Sequence, residues 1–171
     1  MRATLSFTAL SLLAGAASAQ SVDLDIELPR LNVAEYHKPY VAVWISEPDH
    51  SVVANLAVWY QLDDGPEGHG EDWLKDIRQW WRRTGRNLEM PVDGVSSPTR
   101  GPGEYTLSFS SDDDRLRNLE AGSYVLHIEA AREVGGREMI SIPFEWGEDV
   151  EANFSESGSE ELGGVSLSIR P

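Results

Sequence analysis

The chain has no cysteine among its 171 residues. Disulfide bonds, thiolate metal sites, thiol nucleophiles and thioether attachment of haem are therefore all excluded. Exported proteins often use disulfides, but a domain of about 150 residues is large enough to be stabilised by packing alone. The fold must therefore depend on its hydrophobic core.

Long apolar runs are also missing, except at the N-terminus. Residues 1–19 combine Arg2, an apolar stretch through Leu13 and the small residues Ala17-Ser18-Ala19. This is the pattern of a secretory signal peptide with an A-x-A cleavage site. No other stretch approaches the roughly 20 apolar residues of a membrane helix. We expect cleavage near Gln20, an exported product without a membrane span, and a single β-sandwich domain over residues 20–171.

Basic residues are scarce, since 14 Lys and Arg stand against 29 Asp and Glu, for a net charge of −15 at pH 7. Nucleic acid is therefore not an expected partner, because its binding depends on Lys and Arg that neutralise phosphates. Residues 75–86 are the exception and form a basic island: Lys75, Arg78, Arg82, Arg83 and Arg86. This island is either a solvated helix face or a surface suited to a phosphate or an acidic partner.

Motifs of independent catalysis are absent as well. The sequence contains no nucleophile elbow, no zinc-binding His pair and no Gly-rich phosphate loop. His69, Glu71 and Asp72 form the one local group that resembles a metal site. The two acids are better explained as favourable charges at the start of a helix. We therefore predict that the chain is not an enzyme in its own right and holds no metal.

The sequence does contain a series of short alternating segments. In residues 21–28, apolar side chains alternate with acids, which is the pattern of a half-buried strand. Further strands are indicated at 39–46, 51–61 and 104–110, in a hairpin that turns at Gly135-Gly136, and at the C-terminus. Seven or eight strands with short turns predict an antiparallel β-sandwich of immunoglobulin-like type, all-β apart from one inserted helix.

That helix is predicted over residues 71–85, where the period changes. Five apolar residues recur at helical spacing and share one face: Trp73, Leu74, Ile77, Trp80 and Trp81. Trp73 and Trp80 are predicted to be core residues, and Gly85 to be the C-terminal cap. Trp81 is the better candidate for a solvent-exposed role, because it adjoins two arginines.

The loop Pro91–Tyr105, "PVDGVSSPTRGPGEY", directly follows the basic island. Its prolines, glycines and small hydroxyl residues predict a turn on composition alone. We expect this loop and the basic helix to form one surface.

Four segments carry a resemblance to a known family: "LPRLNVAEYHKPYVAVWI", "AVWYQL", "WLKDIRQWWRRTGRNLEMPVDGVSSPTRGPGEYTL" and "GSYVLHIEAAREVGGREMISIPFEW". The most distinctive part is Trp-Trp-Arg-Arg followed by Asp-Gly-Val-Ser. The chain resembles the bacterial periplasmic family called domain of unknown function 2271. The resemblance implies a periplasmic location. It also implies FAD:protein FMN transferases and PepSY-type membrane proteins as partners, in extracytoplasmic electron transfer or iron acquisition.

The resemblance further implies a cofactor site. Family members tend to have Asp-Gly-Val-Ser-Gly-Ala-Thr-Arg, which is similar to the motif at which such transferases attach FMN through a phosphoester to the last hydroxyl. Asp93, Ser96 and Thr99 match this motif, and Thr99 would be the acceptor. This chain has Ser97 and Pro98 where the family has Gly and Ala, and a Ser-Pro pair is also a turn signal.

Two functions remain open from the sequence. The first is an exported accessory protein of a membrane-associated redox or iron-acquisition system that carries FMN on Thr99. The second is an interaction module without a cofactor, which docks through its basic helix and the adjacent loop. The flavin interpretation also assigns the neighbouring residues: Arg82, Arg83, Arg86 or Arg100 to the phosphate, and Trp81 or Tyr105 to the isoalloxazine ring.

Overall fold

The computed structural model describes residues 20–65, 68–147 and 149–171, so the predicted signal peptide at 1–19 lies outside it. Within these residues there are nine strands: β1 (Ser21–Leu28), β2 (Tyr40–Ser46), β3 (Val52–Tyr60), β4 (Ser96–Pro98), β5 (Gly103–Ser110), β6 (Gly122–Ala131), β7 (Arg137–Trp146), β8 (Ala152–Ser157) and β9 (Gly164–Arg170). The first sheet has the order β5-β1-β9-β8, and the second β4-β3-β2-β6-β7. In the described part of the chain, no helix is long and apolar enough to span a bilayer.

The two sheets enclose the main hydrophobic core between their facing sides. Apolar and polar residues alternate along β1, β7 and β9, so every second side chain of each strand faces the core. Leu24, Ile142 and Leu167 are representative, and each is at most 2% exposed. The predicted all-β sandwich is therefore confirmed.

Two strands were not predicted, and both lie at sheet edges. β4 lies inside the loop expected to be a turn and pairs in parallel with Val58–Tyr60 of β3. β8 has no buried residue, so its sequence carries no apolar alternation. Edge strands bury few side chains, and hydrophobic periodicity therefore gives little signal for them.

The prediction of one helix over residues 71–85 is wrong. A 3-10 helix spans Gly70–Asp76, α1 spans Arg78–Arg83, and a second 3-10 helix spans Gly85–Asn87. Ile77 interrupts the helical backbone with φ −78° and ψ 73°. The cause is remote: the buried carboxylate of Glu129 on β6 accepts the first free N–H groups of α1, so a new helix begins there.

This helical segment covers the outer face of the second sheet. Its side chains, Trp80 above all, form a second hydrophobic cluster with Trp44 and Tyr60. The Trp80 indole is fully buried, as predicted, and donates to Asn55 Oδ1 at 2.8 Å. Gly85 is not the C-terminal cap that the sequence predicts, because the C-cap of α1 is Thr84. Gly85 instead allows close packing on Trp80, since a Cβ there would lie 2.4 Å from the Trp80 ring.

Under the same layer lies a buried histidine. His127 is 3% exposed, and its ring stacks on Trp44 with centroids 4.9 Å apart. Its Nε2 lies 2.9 Å from Ser46 Oγ and its Nδ1 2.8 Å from Ser141 Oγ. Both ring nitrogens are therefore engaged by neutral hydroxyls, which suits a neutral imidazole.

The buried His127 should make stability depend on pH. Burial lowers the pKa of His127 from 6.5 to about 4, and the nearby charges of Arg83 and His50 act in the same direction. The unfolded chain takes up a proton on this residue at higher pH than the folded chain does. Its contribution is therefore complete above pH 6.5 and is lost as pH falls to 4, by about 3 kcal/mol in the free energy of unfolding.

Chemical denaturation of the wild type and of His127→Gln at several pH values between 4 and 7 measures this loss. The difference in slope between the two proteins isolates His127 from the carboxylates, which titrate mostly at lower pH. His50→Asn is the matched control, since His50 is exposed and has a positive φ that Asn tolerates. Equal slopes for the wild type and His127→Gln would contradict the prediction.

Candidate functional site

A cavity of about 410 Å³ opens at one end of the second sheet. Five segments meet there: the chain entering β2, the end of β3, the first 3-10 helix with the loop before it, the residue after β4, and the β6–β7 hairpin. They contribute Tyr36, His37, Lys38, Tyr40, Gln61, Gly68, Trp73, Asp76, Thr99, Ala131 and Glu133. The volume lies within the range of small-molecule sites, roughly 300–1,000 Å³.

Three aromatic side chains give the cavity an apolar wall: Tyr36, Tyr40 and Trp73. Trp73 is 39% exposed, so the prediction that it is a core residue is wrong. Tyr40 donates from its hydroxyl to the carbonyl of Gly70 at 3.2 Å, which joins β2 to the first 3-10 helix. Burial raises the pKa of both tyrosines, and they remain neutral phenols at ordinary pH.

The charged part of the wall is mixed in sign. His37 lies between two carboxylates, with Nδ1 3.4 Å from Glu133 Oε2 and Nε2 3.2 Å from Glu35 Oε1. The Glu35 contact does not have hydrogen-bond geometry, since Nε2 has no hydrogen-bond partner among the described residues. Lys38 adds a cation and Asp76 a further acid. The cavity can therefore hold a ligand with both a planar apolar part and a polar part.

A buried ion pair fixes the hairpin at one side of the cavity. Arg132 binds Glu161 through two contacts, Nε to Oε2 at 3.0 Å and Nη2 to Oε1 at 3.1 Å. Both side chains are almost fully buried. Glu161 also accepts the N–H of Gly136 at 2.7 Å. The hairpin that carries Glu133 is thus anchored to the chain just before β9.

Thr99, the predicted acceptor, lies on the wall of this cavity. Its Oγ1 donates to the carbonyl of Pro39 at 2.6 Å, and its N–H donates to the carbonyl of Tyr60 at 3.0 Å. Thr99 is therefore fixed between β3 and the chain entering β2. It is the one residue of the predicted motif on the cavity wall.

The other two motif residues belong to a turn. Ser96 Oγ accepts the N–H of Val92 at 2.9 Å, and Ser96 N–H donates to the carbonyl of Val92 at 2.8 Å. Asp93 is exposed inside this turn, next to Gly94, whose φ of 69° explains the need for glycine. Asp93 and Ser96 thus shape the approach to Thr99 rather than lining the cavity.

The backbone accommodates the two departures from the family motif. Ser97 lies in the extended strand β4 and not among the residues with positive φ, so glycine is not required there. At the two ends of the parallel pairing with β3, the carbonyl of Val95 accepts the N–H of Val58 and the N–H of Thr99 donates to the carbonyl of Tyr60, so every second residue of this segment bonds to β3. Pro98 stands at the alternate position of an edge strand, where its missing N–H removes no ladder bond.

Arg100 is near Thr99 in sequence but is engaged elsewhere. Its guanidinium lies 4.1 Å from the centroid of the Trp59 ring and 5.0 Å from that of Tyr105. Neither Arg100 nor Tyr105 is on the cavity wall. Tyr105 instead packs edge-to-face on Trp59 at the main core.

The remaining predicted residues lie at the far end of β3. Thr84, which ends α1, accepts a hydrogen bond from Asn55, whereas Thr99 pairs with Tyr60. Five residues of a strand separate these points, about 16 Å. The residues concerned are Trp81, which is half-buried against the second cluster, Arg82 and Arg86, which are exposed, and Arg83, which is half-buried. The structure does not bring them to the cavity.

Most of the residues on the cavity wall are not predicted from the sequence to be functional. A signal was present in "YHKPY", residues 36–40, which concentrates two tyrosines and two basic side chains immediately before β2. Gln61 and Glu133 carried no such signal, because each is an ordinary polar residue at the end of a strand or hairpin. Across residues 20–65, 68–147 and 149–171, no three His, Asp or Glu side chains are placed to hold one metal ion.

Comparison with known proteins gives one match. No curated protein and no solved structure matches the chain. A family model described as predicted periplasmic protein, domain of unknown function 2271, matches residues 21–164. The match includes β1 to β8 and every residue of the cavity wall, and the chain therefore belongs to this family of predicted periplasmic proteins.

Proposed function

We propose that the protein is an exported accessory component of a membrane-associated redox or iron-acquisition system, and that it carries FMN as a phosphoester on Thr99. It acts as a carrier rather than as an enzyme. Its partners under this proposal are a FAD:protein FMN transferase, which loads it, and a PepSY-type membrane protein, which exchanges electrons with it.

One observation carries the proposal: the hydroxyl-bearing residue matched to the acceptor motif lines a cavity of ligand size. Tyr36, Tyr40 and Trp73 offer aromatic surface to a planar ring system. The residues present therefore fit a flavin. When bound, FMN would supply one- and two-electron transfer, while the protein supplies position and electrostatic environment.

The attachment balances with FAD as co-substrate. Thr99 Oγ1 attacks the phosphorus of the FMN half, and an O–P bond forms. The pyrophosphate P–O bond breaks, and AMP leaves with the bridging oxygen. The hydroxyl proton of Thr99 passes to a base of the transferase or to solvent, and no atom changes oxidation state.

Intact mass of the protein tests the proposal. The chain is coexpressed with such a transferase in a bacterial periplasm, purified and measured beside chain made without the transferase. The expected mass difference is that of FMN less one water, with flavin absorbance that survives denaturation. An unmodified mass without flavin absorbance would contradict the proposal.

The second candidate, an interaction module without a cofactor, is favoured by the exposed basic residues of the helical segment. Arg78, Arg82 and Arg86 are exposed, and none of them takes part in an ion pair among the described residues. Such a surface complements an acidic partner. This function requires no adduct, so the mass measurement also separates the two candidates.

A further inference from the structure

We propose that Lys38 is the residue through which the cavity recognises a phosphate, so that the cavity selects an aromatic ring system bearing a phosphate over the same ring without one. This inference rests on the proposed function, because it takes a flavin as the ligand. It assigns the phosphate to Lys38 and not to the arginines of the basic island.

The cavity wall has two basic side chains, His37 and Lys38. His37 is placed between Glu35 and Glu133, so its charge, when present, is offset by the protein itself. Lys38 is in none of the ion pairs of the described residues. Its ammonium group is exposed and available to a ligand.

The position of Lys38 relative to Thr99 supports the assignment. Lys38 immediately precedes Pro39, whose carbonyl accepts the hydrogen bond of the Thr99 hydroxyl at 2.6 Å. The backbone of Lys38 is thus held beside the atom to which the phosphate would be joined. A lysine side chain acts as a mobile point charge and can follow a phosphate over several ångströms.

The other cations near the cavity are committed to other groups or do not line it. Arg30 is near enough to Tyr36 for its charge to act on the pKa of that tyrosine, but it is not on the cavity wall. Arg100 lies over the Trp59 and Tyr105 rings, and Arg132 is bound to Glu161. Lys75 lies 5.1 Å from the centroid of the Trp73 ring but is not on the cavity wall. The last arginines of the basic island, Arg82, Arg83 and Arg86, flank Thr84, which lies beside Asn55 toward the far end of β3.

Because the cavity wall also has acidic side chains, the binding of a phosphate depends on the one available cation. Asp76 and Glu133 line the same cavity, and both repel a phosphate. Among the described residues, Lys38 is the one cation of the wall that is not placed between carboxylates, and without it nothing on the wall would offset the repulsion of an anionic ligand by these two acids. With Lys38, a charge-assisted contact to the phosphate becomes possible.

Fluorescence titration of the unmodified chain with FMN and with riboflavin tests this inference. The two ligands share the isoalloxazine ring, and only FMN has the phosphate. We expect the wild type to bind FMN about tenfold more tightly than riboflavin, because one charge-assisted contact is lost with the phosphate. Lys38→Met should abolish this difference, whereas Lys38→Arg should retain most of it.

Lys75→Met is the matched control, since it removes a neighbouring exposed lysine that does not line the cavity. It should keep the preference for FMN. Equal affinities of the wild type for the two ligands, absence of FMN binding, or a preference that persists in Lys38→Met would each overturn the inference.

The titration uses neither the transferase nor the Thr99 hydroxyl. An adduct together with equal FMN and riboflavin affinities would leave the proposed function standing and remove the role of Lys38. A preference for FMN over riboflavin without any adduct would support the role of Lys38 and contradict the proposed covalent attachment.

Discussion

Replacing Thr99 with valine is expected to abolish the FMN adduct completely while the fold remains intact. Valine keeps the branched shape of threonine and the N–H that donates to the Tyr60 carbonyl, but it has no oxygen to form the phosphoester. The lost hydrogen bond to the Pro39 carbonyl should reduce the free energy of unfolding by only about 1 kcal/mol. Intact mass after coexpression with the transferase measures the adduct, and thermal denaturation checks the fold.

Two matched variants make the assignment of the acceptor specific. Thr99→Ser should retain the adduct, because it retains a hydroxyl at the same position. Ser97→Ala should also retain it, because Ser97 is not one of the three residues that match the motif. An adduct that persists in Thr99→Val would show that the site is wrong even if the protein is a flavin carrier, and peptide mapping would then identify the true acceptor.

Replacing Glu129 with alanine is expected to reduce the free energy of unfolding by about 3–5 kcal/mol. The carboxylate is 0% exposed and accepts the N–H groups of Gln79 and Trp80, each at 2.9 Å, and Nη1 of Arg137 at 2.9 Å. Its removal leaves these donors without their partner beneath the helical segment and opens a void. Urea denaturation monitored by tryptophan fluorescence measures the change.

Glu145→Ala is the matched control for this prediction. Glu145 lies on β7 of the same sheet, is exposed, and accepts one hydrogen bond from Ser123. Its replacement should change the free energy of unfolding by less than about 1 kcal/mol. Glu129→Gln should fall between the two, because the amide keeps one acceptor oxygen but presents an NH₂ group to donors. A loss for Glu129→Ala no larger than that of Glu145→Ala would contradict the prediction.

The role of Glu129 extends to the candidate site. It fixes the start of α1, which directly follows the 3-10 helix that carries Trp73 and Asp76 to the cavity. The carboxylate lies 49 positions from Trp80 in the chain. A pattern within residues 71–85 cannot predict a contact with a residue so distant in the chain. The periodic apolar residues therefore predicted one continuous helix, whereas the structure has three short ones.

The burial of the two tryptophans of this segment could not be predicted from local periodicity either. Trp73 and Trp80 share a helical face in a continuous helix, and both were expected in the core. The break at Ile77 changes their relation. Trp80 is fully buried and Trp73 is 39% exposed beside the cavity.

The β-sandwich could be predicted from the residues alone, because the alternation along a strand specifies which side chains face the core whatever the strand packs against. The turn before Thr99 was predicted from composition, and Thr99 as the candidate acceptor from the resemblance to the family. The residues around Thr99 could not be predicted in this way, since the cavity is assembled from five segments that are distant in the chain. Arg82, Arg83 and Arg86 precede the loop in sequence but lie far from Thr99 along β3, whereas Lys38 is distant from Thr99 in sequence and close to it in space. Periodicity specifies which face of a strand is buried, whereas the pairing of strands in the sheet specifies which strand ends and loops lie close together.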